Sequence, residues 1–220
     1  MTMKAHKWKL ISVFFILFVT VNLGMKEDRA EAATIALKYG SEGYQVESLQ
    51  YRLKTLSLYS GRLDGKYGPG TKNGVLKFQK KYGTYPDGKA GPVTWRQLKK
   101  YSLSKSEMNI MAKVIYSEAR GESYKGQVAV GAVVMNRIQS KQFPNHIRGV
   151  VFQKNAFTAV ADGQFNKRPN RTAYLAAKDA VRGWDPTKNS LYYFNPQTAT
   201  SEWIWSRKQN VRIGRHIFAS

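Results

Sequence analysis

The 220-residue chain contains no cysteine. That excludes disulfide staples, thiolate metal sites and every Cys-His catalytic scheme, so any core is held by apolar packing. Histidine is nearly as scarce, with three in all. The sequence has no H-E-x-x-H pair, no G-x-S-x-G elbow and no glycine-rich loop of phosphate-binding form. This argues against the common zinc proteases, the serine hydrolases with a nucleophile elbow and the nucleotide enzymes. Acid is the third shortage. Only 14 Asp and Glu stand against 36 Lys and Arg, for a net charge of +22.

Long apolar runs are missing too, apart from one at the start. Lys4, Lys7 and Lys9 precede the run Leu10 to Met25, and Ala30-Glu31-Ala32 follows as a small-x-small cleavage pattern. Residues 1–32 therefore read as a secretory signal. The run is short for a membrane span, which needs about 20 apolar residues. If uncleaved, it would be the chain's one membrane contact. An exported chain this basic suits a polyanion; an anionic cell wall fits better than nucleic acid. Many of the lysines would serve solubility in any case.

Residues 33–100 contain an internal echo. "DGKYGPGT" at Asp64–Thr71 returns as "DGKAGPVT" at Asp87–Thr94, each followed by a helical pattern. An earlier helix carries Val46, Leu49, Leu53 and Leu56 on one face. Asp-Gly and Gly-Pro mark turns, and Thr71 and Thr94 are the expected helix N-caps. The expectation is a compact three-helix bundle. With "VESLQYRL" and "GVLKFQKKYG", the pattern resembles the type 1 peptidoglycan-binding domain, which implies a module that holds an enzyme on its glycan.

"KKYSLSKS" reads as a polar link, and a second segment spans 104–220. Ser104 and Glu107 have capping-box spacing. The helix they open presents Met108, Met111, Val114 and Ile115, and should stop near Gly121. At 100° per residue Glu118 falls inside that apolar stripe. A core-facing position and a helix C-terminus both disfavour a carboxylate, leaving the neutral carboxyl that a general acid needs. The alternative is a structural ion pair with Arg120 or Arg137. Glu122, past the glycine, is expected to cap a helix from Ser123 or Tyr124, in which Val128, Ala132, Met135 and Ile138 are buried. Asn170 or Thr172 caps a later helix. Tyr192–Phe194 and Trp203–Trp205 read as β-type runs beside a mostly helical body.

The second segment has seven carboxylates: Glu107, Glu118, Glu122, Asp162, Asp179, Asp185 and Glu202. A cap occupies Glu107, a surface-like helix Asp179 and a turn Asp185-Pro186. Glu118, Glu122, Asp162 and Glu202 remain for chemistry. His146 and His216 with a carboxylate could just make a zinc site, but no local pair supports it, so neither metal nor cofactor is expected.

"SEARGESYKGQVAVGAVVMNRI", "FPNHIRGVVFQKNAFTAVADGQ", "AAKDAVRGWDPTKNSLYYFNPQTATSEWIWSR" and "IGRHIF" resemble the catalytic domain of the spore cortex-lytic enzymes (SleB type). The resemblance implies a mostly α (α+β) chain, in which a lysozyme-like helical domain with a small β-ribbon follows the three-helix module. It also implies cleavage between N-acetylmuramic acid and N-acetylglucosamine during germination, leaving an anhydro-muramic end. The first Glu of the E-A-R-G-E motif, Glu118, is then the acid/base, with Glu122 or Asp162 as candidate support. Thr158, Tyr193 and Asn195 are candidate groove residues. Ser123 departs from the proline expected after the motif. The implied substrate is spore cortex carrying muramic lactam, at the outer face of the inner spore membrane, with a stabilising spore protein as a further partner. A muramoyl-alanine amidase and a non-enzymatic wall binder are the rival readings.

Overall fold

The computed structural model describes residues 36–154, 156, 157, 160 and 163–220. The expected signal segment, Thr158 and Asp162 lie outside them. The described residues are mostly helical with one small antiparallel sheet.

Helices α1 (Tyr44–Thr55), α2 (Pro69–Lys81) and α3 (Pro92–Tyr101) form the first bundle. Val46, Leu49, Leu53, Val75, Phe78 and Leu98 are fully buried within it. Thr71 and Thr94 are not its N-caps. Gly68 and Gly91 occupy those places, with Pro69 and Pro92 in the first turn. Proline has its φ already set for a helix start and no N–H to satisfy there, so each helix begins three residues early.

The threonines instead face two buried glutamines. The Gln50 amide nitrogen lies 2.8 Å from Asp64 Oδ1, 3.0 Å from Lys66 O and 3.0 Å from Thr71 Oγ1, and its oxygen accepts from Gly65 N at 3.1 Å. Gln79 repeats each contact with Asp87, Lys89, Thr94 and Gly88. Gly65 and Gly88 have φ of +68° and +69°, where a side chain would be strained. Each Asp-Gly loop is thus wrapped around one amide.

The second segment begins with α4 (Lys105–Ala119) and α5 (Tyr124–Gln139), followed by α6 (Ile147–Val151), α7 (Arg171–Val181) and a single turn, α8 (Glu202–Trp205). The Ser104–Glu107 capping box forms at the start of α4, and Asn170 caps α7. Helix α5 is buried almost all round between α4 and α7. A Cβ at Gly131 would come 2.9 Å from both Ile115 and Ala180, so this glycine sets how closely the three helices approach. Strands β1 (Tyr192–Phe194), β2 (Gln209–Ile213) and β3 (His216–Ala219) pair antiparallel in the order β1-β3-β2.

Trp203–Trp205, expected as a strand, is the helical turn α8. Its exposed–buried–exposed pattern suits either state. The ladder decides: β3 already has a neighbour on each side, and the less apolar stretch Gln209–Ile213 is one of them.

The expected polar link is packed. Ser102 and Leu103 are buried, and Arg52 of α1 donates to Ser102 O at 2.8 Å. Arg52 also pairs with Glu107 at 2.8 Å, while Arg182 donates to Thr55 O at 2.9 Å. Two arginines therefore tie the first bundle to the second segment.

Candidate active site

The last turns of α4 carry the site. Val114 and Ile115 face the core, and the next inward step brings Glu118 to a half-buried position. Arg120 is the C-cap, and Glu122 N closes back on Ala119 O at 2.9 Å. Ser117 Oγ donates to Gln164 O at 3.0 Å, and Arg120 donates to the Gln164 side chain at 2.8 Å. The segment at Gly163–Asn166 is so pinned beside the helix end.

Glu118 Oε2 accepts a hydrogen bond from the Tyr193 hydroxyl at 2.9 Å. Tyr193 lies in β1, its ring packed 6.5 Å from Phe157, 5.8 Å from Phe218 and edge-to-face 5.2 Å from His216. Burial holds the Tyr193 hydroxyl well above its ordinary pKa, and the negative charge of Glu118 pushes the same way. Tyr193 is therefore a neutral donor across the working pH range. Burial lowers the His216 pKa despite the opposing pull of Glu122 and Glu118, and its Nδ1 is buried without a partner among the described residues.

Arg137 holds β1 from behind. It is 7% exposed, and its Nε donates to Leu191 O at 2.7 Å. Its guanidinium sits 5.1, 5.2 and 5.7 Å from the rings of Phe143, Phe157 and Tyr192, an aromatic enclosure suited to a cation. Asn136 adds a bond to Ser190 O at 3.1 Å. Arg137 inside the apolar helix was the sequence signal for this tether, read there only as an alternative partner for Glu118.

Glu122 does not cap α5. Ser123 does, accepting from Gly126 N at 3.2 Å, so a serine can replace proline at this helix start. The Glu122 side chain is 5% exposed and turns to the β2–β3 turn. Its Oε1 accepts from Arg215 Nε at 2.7 Å and its Oε2 from Arg215 N at 3.3 Å. Burial alone would raise the Glu122 pKa, but the Arg215 hydrogen bonds outweigh it, and the net shift is downward.

Asn195 follows β1 and organises the turn there, its side chain accepting from Gln197 N at 3.0 Å. His146 caps α6 through Nδ1, and His216 opens β3. The structure thus brings Glu118, Tyr193 and His216 together and commits Glu122 to Arg215. A carboxyl beside a neutral donor can give a proton to an oxygen and take one back from a hydroxyl.

Residues 121–219 match a family model described as Cell Wall Hydrolase, and 42–98 match a peptidoglycan binding domain. Glu118 stands just ahead of the first match. A spore cortex-lytic enzyme of Bacillus cereus is 42% identical over 83% of this chain and 85% of its own length. One from Bacillus subtilis is 56% identical over 53% of this chain and 38% of its own. Among solved structures, the catalytic domain of the germination-specific lytic transglycosylase SleB from Bacillus anthracis is 57% identical. It covers 54% of this chain and 97% of its own, with a TM-score of 0.52.

Proposed function

The chain belongs to the spore cortex-lytic enzymes, and we propose that it degrades spore cortex peptidoglycan during germination as a lytic transglycosylase. The bond cleaved joins N-acetylmuramic acid to N-acetylglucosamine. Glu118 gives its proton to the glycosidic oxygen as the bond from that oxygen to muramic C1 breaks. The muramic C6 hydroxyl then closes on C1, and the Glu118 carboxylate takes the hydroxyl proton. The ring closes without water, and Glu118 ends protonated as it began. Tyr193 donates to the carboxylate between the two transfers.

One observation carries this reading: Glu118 is held by a neutral phenol while Glu122 is bound to Arg215. A hydrolase of the usual retaining or inverting kind employs two carboxyl groups. Intramolecular closure on C1 needs one. Asn195 and Thr158 are assigned to the glycan groove, and Asp162 to support of Glu118. The first bundle is assigned to anchoring on the same polymer. The expected export signal suits a location outside the inner spore membrane, and the family likeness favours cortex carrying muramic lactam as substrate and a stabilising spore protein as partner.

The test is release of soluble fragments from purified cortex by wild type and Glu118→Gln, with and without a chelator. The proposal expects wild-type release that the chelator leaves unchanged, and none from the variant. Release by Glu118→Gln, or arrest by the chelator, would point to the amidase reading. No release by wild type would leave a wall-binding protein.

A further inference from the structure

The E-A-R-G-E segment carries its second carboxylate into the β2–β3 turn, where Arg215 donates to both its oxygens. We propose that Glu122 is a positioning residue: together with Arg215 it clamps the sheet to the end of α4 and so sets Tyr193 on Glu118. This assignment rests on the reading of Glu118 as the acid/base.

A closed path of contacts supports it. Glu118 and Glu122 leave the same helix end. Glu122 accepts two hydrogen bonds from Arg215, one from the side chain and one from the backbone, and each carboxylate oxygen takes one. The next residue, His216, meets the Tyr193 ring edge-to-face, and β3 pairs with β1 at Tyr193↔Phe218. The Tyr193 hydroxyl returns to Glu118. Helix end, turn, central strand and edge strand thus form one ring, and Glu122 closes it.

The local sequence is shaped for this contact. Gly214 has φ +57°, a conformation that side chains resist, and a Cβ there would collide with Glu122 Oε2. A Cβ at Gly121 would lie 2.9 Å from the Arg215 guanidinium. Two glycines clear the ground on which one carboxylate meets one arginine. The Glu122 side chain is 5% exposed while that of Arg215 is 63% exposed. The carboxylate is therefore fixed inside the fold and the arginine reaches in to it.

The chemistry predicts an ordering of variants. Glu122→Gln keeps the shape but puts an NH2 where one of two N–H donors needs an acceptor, so the clamp opens on one side. Glu122→Ala loses both contacts. Arg215→Ala loses only the side-chain contact and keeps the backbone donor, so its effect is the smallest.

The experiment combines two readouts on the whole chain. One is kcat and KM on soluble cortex glycan. The other, without substrate, is the NMR signal of the Tyr193 ring in protein labelled with 13C at tyrosine Cζ, assigned by its loss in Tyr193→Phe. Glu122→Ala is expected to lower kcat by about tenfold to a hundredfold, the range for a small misplacement of catalytic groups, with KM little changed and the Tyr193 signal moved. Arg215→Ala should shift both in the same direction by less. Loss of activity in Glu122→Gln with the Tyr193 signal unmoved would overturn the proposal, because Glu122 would then act on substrate directly. An unmoved signal with unchanged kcat in Glu122→Ala would overturn it as well. Failure of the transglycosylase reading appears elsewhere, as activity retained in Glu118→Gln, while the substrate-free signal still reports on the clamp.

Discussion

The hydroxyl of Tyr193 donates to Oε2 of Glu118 across 2.9 Å, joining the last turn of α4 to the first strand of the sheet. A helix end and a strand far apart in sequence meet at the atom assigned to proton transfer. Hydrogen bonds to charged groups contribute about 1.5–3 kcal/mol. Tyr193→Phe should therefore lower kcat by roughly tenfold to a hundredfold while the fold, packed through the ring, survives. Circular dichroism and fragment release on the same preparation check both halves.

A second prediction concerns the join between the two segments. Burial alone would raise the Glu107 pKa, but the Arg52 charge and then the Ser104 hydrogen bonds bring it below its ordinary value. A carboxyl with a depressed folded pKa stabilises above its unfolded pKa, and that contribution is lost as pH falls through the folded one. Glu107→Gln should lower stability near neutral pH by about 2–4 kcal/mol, from the broken ion pair and the weakened cap. The gap from wild type should close as pH drops below about 4. Melting curves against pH measure it, and a gap that widens in acid would contradict the assignment.

Arg137 gives a third. Its removal leaves Leu191 O without its donor and a void among Phe143, Phe157 and Tyr192. Arg137→Ala should cost about 2–4 kcal/mol in stability, and it should lower kcat because β1 carries Tyr193. Arg137→Lys keeps the charge but not the planar donor that fits both carbonyl and rings. It should recover part of the stability and less of the kcat. Denaturant melts beside kinetics separate the two.

Much of this was readable from the residues. Apolar spacing marked α4 and put Glu118 on its inner side, where the structure half-buries it, and Ser104 with Glu107 announced the capping box. The paired Asp-Gly loops were visible, but their glutamines were not. Gln50 lies 14 residues before its loop and Gln79 only 8 before the other, so no common spacing marks them. Arg215 is hidden from local reading for a similar reason, since its partner Glu122 is 93 residues away. Glu122 was expected to cap its nearest helix because local patterns report local partners. The misread strand at Trp203–Trp205 has the same root, because three residues of alternating burial do not name their ladder partner.

Product chemistry separates a one-carboxyl transglycosylase from a hydrolase and from an amidase. Purified cortex peptidoglycan, digested in water enriched in heavy oxygen, is analysed by mass spectrometry of the soluble fragments. Anhydro-muramic ends free of heavy oxygen, carrying intact stem peptides, are the expected products. Reducing ends that have taken up heavy oxygen would show hydrolysis instead, and free stem peptides would show an amidase; either would contradict the single-carboxyl role of Glu118.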